Sequence, residues 1–157
     1  MRRSALFLVP LLAGCTAAPP AAPATSPPSG ARCGSPVSTE ALPTWVRGGF
    51  NFDGSGIPHV LSRGGDLMAI LFGSPLTAPP AEDHNNKILW VSRLPVTTGD
   101  TLKITAARAG SAETAGRAVP GGPGPSTVDL PSAGCWTLTL QWSGHTDTLD
   151  LTYVPPK

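Results

Sequence analysis

Cys135-Trp136-Thr137-Leu138-Thr139-Leu140-Gln141-Trp142 decides the fold. Its even positions are bulky and apolar, and its odd positions are mostly polar. That strict alternation belongs to a strand with one buried face. Ser143-Gly144-His145 interrupts it, and the pattern resumes in Thr148-Leu149-Asp150-Leu151-Thr152-Tyr153 with the odd residues apolar. Two alternating runs joined by a short glycine-containing connection predict a β-hairpin.

Working outward, Leu67-Met68-Ala69-Ile70-Leu71-Phe72 and Ile88-Leu89-Trp90-Val91 are short, continuously apolar runs. Gly64-Gly65, Gly73-Ser74-Pro75 and Asn85-Asn86 bound them as turn residues, which suits central strands better than helices. Residues 57–62, 101–106 and 126–130 are weaker strand candidates. Residues 106–118 are alanine-rich enough for a short helix, but Gly110 and Gly116 argue against one. Seven or eight short strands with frequent Gly/Pro turns predict an all-β, immunoglobulin-like β-sandwich over residues 33–157.

The N-terminus speaks of address. Met1-Arg2-Arg3-Ser4 precedes an apolar run over residues 5–14, the charge-then-apolar order of a signal peptide. The run is far short of the roughly 20 residues needed to span a bilayer. It ends in Leu12-Ala13-Gly14-Cys15, which is similar to the lipobox of bacterial lipoproteins. The resemblance implies cleavage after Gly14, a thioether-linked diacylglycerol on Cys15, and attachment to the extracytoplasmic face of the cell membrane. Arg2-Arg3 also hints at the twin-arginine export route. Residues 1–14 are thus expected to be a lipoprotein signal peptide, and residues 15–32 the lipidated cysteine and an Ala/Pro-rich stalk. Pro19, Pro20, Pro23, Pro27 and Pro28 punctuate that stalk. At about 3.1 Å per residue, its residues 16–30 reach up to roughly 45 Å.

Three cysteines leave one unpaired. With Cys15 lipidated, Cys33 and Cys135 remain, and an oxidising compartment favours a disulfide between them over two buried thiols. Neighbouring strand residues face opposite ways, so Cys135 cannot share the inward face of Trp136. The bridge is therefore expected to clamp the N-terminal segment onto the outside or edge of the sheet.

Ser62-Arg63-Gly64-Gly65-Asp66 leading into Leu71-Phe72-Gly73, together with Asn86-Lys87-Ile88-Leu89-Trp90-Val91 and Ala133-Gly134-Cys135-Trp136, resembles a family of uncharacterised actinobacterial exported proteins. The resemblance covers residues 45–153. It implies an exported address and this fold, and supplies no reaction.

Chemistry is sparse. Charged residues are 13% of the chain and the net charge is +1, so the basic excess of a nucleic-acid partner is missing. His59, His84 and His145 lie far apart without metal-ligand spacing, and scattered loop or surface positions are expected for them. No Gly-x-Ser-x-Gly elbow is present. Asp53-Gly54-Ser55-Gly56 reads as a turn, too short of acidic residues for a calcium loop. Asp147 and Asp150 are an odd number of residues apart, so they face opposite sides of a strand and do not cooperate. Trp136, Trp142 and Trp90 are expected in the core, leaving Trp45 as the exposed tryptophan. Arg63, Asp66 and Lys87 border the buried strands, as a surface binding patch with Trp45 or as structural ion pairs. No cofactor or metal is expected. The expectation is a non-enzymatic, membrane-anchored module contacting another envelope protein, with a small-molecule, glycan or metal binding module as the alternative.

Overall fold

A computed structural model describes residues 33–157. The expected signal peptide, the expected lipidation at Cys15 and the expected stalk fall outside the described residues. The domain contains nine strands and one 3-10 turn, Thr44–Val46. The first sheet comprises β1 (His59–Leu61), β2 (Leu67–Leu71), β4 (Lys87–Ser92) and β7 (Pro125–Thr127), ordered β1-β2-β4-β7 and antiparallel throughout. The second comprises β3 (Leu76–Thr77), β5 (Thr101–Arg108), β6 (Thr114–Pro120), β8 (Gly134–Trp142) and β9 (His145–Val154), ordered β3-β9-β8-β5-β6. The chain leaves β2 in the first sheet and enters β3 in the second, where β3 lies parallel to the last strand, β9. This change of sheet, with the remaining strands paired antiparallel, gives an immunoglobulin-like sandwich.

The hairpin expected from alternation is present, paired from Gly134↔Tyr153 to Trp142↔His145. Trp136, Leu138, Leu140 and Trp142 of β8 and Leu149, Leu151 and Tyr153 of β9 all enter the core between the sheets. Every large aromatic there has a partner for its polar tip. Trp90 Nε1 donates to Ser126 Oγ, Trp136 Nε1 to the Ser132 carbonyl, Trp142 Nε1 to Ser92 Oγ, and Tyr153 Oη to the Val128 carbonyl. A buried ring thus keeps its apolar contribution without stranding a donor.

The continuous runs of β2 and β4 have a physical reason. Leu67, Ala69 and Leu71 face the inter-sheet core, while Met68 and Ile70 face outward into a second cluster with Leu42 and Val46. Ile88 and Trp90 of β4 point into the main core, and Leu89 and Val91 pack on the second cluster. The segment from Ser38 to Ile57 forms this third layer, so the first sheet is apolar on both faces. Trp45 belongs to it, half-buried against the cluster. Phe72, read with the β2 run, lies beyond the strand and is 51% exposed. Residues 106–118 form the β5–β6 hairpin, which turns at Gly110 with φ +73°; the glycines were the better guide.

Cys33 and Cys135 form a disulfide across 102 residues of sequence. Cys135 alternates with buried Trp136 and faces away from the core. The bridge therefore holds residues 33–36 over the outer side of β9, where the Asp150 amide donates to Ser35 Oγ at 2.8 Å. Gly34 passes so close that a Cβ there would lie 2.6 Å from Asp150 Oδ2. Opening a closed loop of this size removes a constraint on the unfolded chain equivalent to about 4.7 kcal/mol, and measured losses for native disulfides span about 2–5 kcal/mol. Reduction should lower the urea midpoint by a stability loss in that range. Coincident midpoints with and without reductant would show that the bridge contributes nothing to stability.

Candidate functional site

The four residues singled out from sequence do not form one patch. Arg63 and Asp66 sit in the β1–β2 connection, beside the start of β2. Lys87 begins β4 at the opposite end of the same antiparallel pair, where Leu71 pairs with Ile88. The five residues of β2 separate them, about 16 Å at the rise of a strand. Trp45 lies on the outer layer. Arg63 and Asp66 do not pair with each other. Arg63 bridges Asp150 at 2.7 Å and Asp66 bridges Arg93 at 2.7 Å. Lys87 places its ammonium 5.9 Å from the centroid of the exposed Phe72 ring, a cation–π contact worth about 0.5–1 kcal/mol in such a setting.

The Ser62–Asp66 loop is a clasp around β9. Asp147 takes a core-facing position of β9 and is only 7% exposed. Its carboxylate accepts from Ser62 Oγ at 2.5 Å, the Gly64 amide at 2.8 Å, the Thr148 amide at 2.7 Å and the Asp66 amide at 3.3 Å. Ser62 Oγ also accepts from the Leu67 amide, and the Arg63 amide donates to the Thr148 carbonyl. Asp150, on the opposite face, accepts from Thr137 Oγ1 and Arg63. The two aspartates do face opposite sides of β9, and both hold the same loop.

For Asp147, burial is the largest single influence and opposes ionisation. The hydrogen bonds from Ser62, Gly64, Thr148 and Asp66 together outweigh it and hold the carboxyl below the usual aspartate range. At Asp150, burial is again the largest influence, and the Thr137 and Arg63 bonds with the Arg63 charge overcome it. Both groups are therefore anionic tie points at neutral pH.

At the other end of the sandwich, Asn86 is fully buried and acts as a one-residue partner for the edge of β3. Its Oδ1 accepts from the Thr77 amide at 2.8 Å, and its Nδ2 donates to the Thr77 carbonyl at 2.8 Å and to Asp129 Oδ1 at 2.9 Å. Gly73 closes against this turn, where a Cβ would lie 2.1 Å from the Asn85 carbonyl oxygen. His84 Nε2 lies 3.1 Å from the Gly73 carbonyl. A carbonyl only accepts, so Nε2 carries a proton, and in that tautomer of the ring Nδ1 is the acceptor.

Beside these residues lies a cleft of about 320 Å³ whose lining includes Pro75, Thr77, Asp83, His84, Val154 and Pro155. Leu76 and Ala78 enter the core, so Thr77 faces the other way, toward the cleft. At the opposite end, a groove of about 360 Å³ runs along the β8–β9 turn, lined by Asp100, Lys103, Gln141, Ser143 and His145 among others. Ser143 adopts φ +46° there, and its amide donates to the Asp100 carboxylate.

The histidines stay apart. His145 tilts against Trp142, and His84 is half-buried in its turn. His59, expected on a loop or surface, is a buried β1 residue whose Nδ1 lies 2.8 Å from the Ile57 carbonyl. Among the described residues, no three His, Cys, Asp or Glu side chains gather as metal ligands.

Asp147→Asn places an amide NH₂ against backbone and hydroxyl donors and should cost about 2–3 kcal/mol at neutral pH by urea unfolding. Because Asp147 and Asp150 are depressed in the folded state, their contribution is complete above the unfolded-chain value of ~3.9 and is lost as pH falls through the folded values. Stability should hold from pH 7 to about pH 5 and decline below about pH 4, less steeply in Asp147→Asn. A pH-independent wild type would refute that assignment. Asn86→Asp turns a donor toward the Thr77 carbonyl and Asp129 into an acceptor, with an expected loss of about 3 kcal/mol or more; an unchanged urea midpoint would refute the clamp.

No family model matches the chain, and neither a curated protein nor a solved structure matches it.

Proposed function

We propose that this protein is a lipid-anchored envelope module whose sandwich binds another envelope protein without catalysing a reaction. The observation that carries the reading is the order along the chain: paired arginines, a short apolar run ending at Leu12-Ala13-Gly14-Cys15, an uncharged proline-rich segment, and then a disulfide-bridged domain. The disulfide supports export, since such bridges persist in oxidising compartments. Two acyl chains would make the attachment stable, where one would be marginal.

On this reading the hairpin tip is the end that meets the partner. Cys33 is held at the start of β8, beside Thr152, and β9 runs from Thr152 back to His145 at the hairpin tip, roughly 25 Å. A chain attached through Cys33 would carry the tip outward. Around that tip lie Arg63, the Asp66–Arg93 pair, Asp100, Lys103 and His145. A surface of mixed charge on short loops suits recognition of a protein partner by charge complementarity.

Metabolic labelling with palmitate, followed by envelope fractionation and crosslinking, tests this reading. Wild type should be labelled, pellet with membranes and capture a reproducible protein partner. Cys15→Ser should lose label, membrane association and capture together. An unlabelled wild type, or capture that persists unchanged in Cys15→Ser, would overturn it.

A further inference from the structure

We propose that the cleft between β3 and the end of β9 binds a primary alkylammonium group. This goes beyond the envelope-module reading and does not depend on the anchor. The starting point is Thr77. Its Oγ1 is the one buried side-chain polar atom among the described residues that has no hydrogen-bond partner, and Thr77 as a whole is only 8% exposed. A buried unpaired hydroxyl destabilises a fold, and valine would fill the same shape without it. The side chain lies on the cleft side of β3, and the amide and carbonyl of Thr77 are already taken by Asn86.

The cleft's other polar groups define the ligand. His84, fixed through Nε2 to the Gly73 carbonyl, offers Nδ1 as an acceptor, and Asp83 offers a carboxylate. Neither Asp83 nor its neighbour Glu82 is in a salt bridge among the described residues. Lys157 is the cation in the lining, and Ser74 can either donate or accept. Thr77, His84 and Asp83 therefore supply three acceptors. The group with three donors and no acceptor is an ammonium. Pro75, Val154 and Pro155 provide an apolar wall for a short alkyl stem. A volume of about 320 Å³ sits at the small end of ligand pockets. The same chemistry is presented by a free small amine and by a lysine side chain of a protein.

The test is amide chemical-shift titration of the isotopically labelled, oxidised full chain. The probes are n-butylammonium, Nα-acetyl-lysine methylamide and the neutral control n-butanol. The amines should give saturable shifts at Thr77 and His84, and n-butanol should not. Thr77→Val should weaken amine binding about fivefold while raising the melting temperature. Asp83→Asn, on an exposed residue with little consequence for folding, should weaken it about tenfold. Butylammonium binding without the lysine amide would identify a free amine as the source. Binding of the lysine amide at least as well would identify a side chain. Absence of saturable shifts with both amines, equal binding of n-butanol, or unchanged affinity in both variants would overturn the proposal.

Discussion

Asp147 stands at a core-facing position of β9, where an ionised carboxylate persists only if donors replace the water it has lost. Those donors arrive from the β1–β2 connection of the other sheet: Ser62 Oγ and the amides of Gly64 and Asp66. The dependence is mutual. Without the carboxylate, the loop would carry two inward amides with no acceptor, and without the loop the carboxylate would be stranded. The closure of the two sheets at this end is thus centred on the Asp147 carboxylate, with the Arg63–Asp150 pair and the Trp142–Ser92 bond beside it. The rest of β9 extends the same logic: its core face fills the sandwich, its outer face binds Arg63 through Asp150, and its edge takes β3 and Ser35. A single strand is held from every side of the domain.

What was legible in the sequence follows from how local each signal is. The β8–β9 hairpin declares itself because burial on one face writes a period of two into consecutive residues. The same parity argument places Cys135 outside the core. The apolar runs of β2 and β4 reveal that both faces are buried, but not what covers the second one. That cover, residues 38–57, is an irregular segment in which Leu42, Val46 and Phe50 have no period to detect. β6 escaped because, as an edge strand, it puts only Val119 into the core, with Ala115 packed beside it. β3 is two residues long and set between prolines. Phe72 was misplaced because hydrophobicity does not mark where a strand ends.

The polar sites were harder for a related reason. Arg63 and Asp66 stand out as charges beside a buried strand, but the choice between binding patch and ion pair depends on Asp150 for the first and Arg93 for the second, 87 and 27 residues away. Asn86 looked like turn punctuation because asparagine before a strand usually is. Its amide instead replaces a strand neighbour for β3, a role that only the fold creates. Thr77 carried no signal at all, since threonine in an extended segment is ordinary.

Threonine at that position nevertheless resists a purely structural account. The buried tryptophan and tyrosine tips, Asn86 and Asp147 all find partners, so this domain meets the requirement that buried polar groups be paired almost everywhere. Against that background an unpaired hydroxyl is informative. Local chain geometry does not require it, because valine has the same branching and the same preference for extended backbone. Nor does the core, which Thr77 does not face. What remains is the cleft it lines together with Asp83, His84 and the apolar Pro75, Val154 and Pro155. Strained or unsatisfied groups that folding would discard tend to mark sites where something else completes the set.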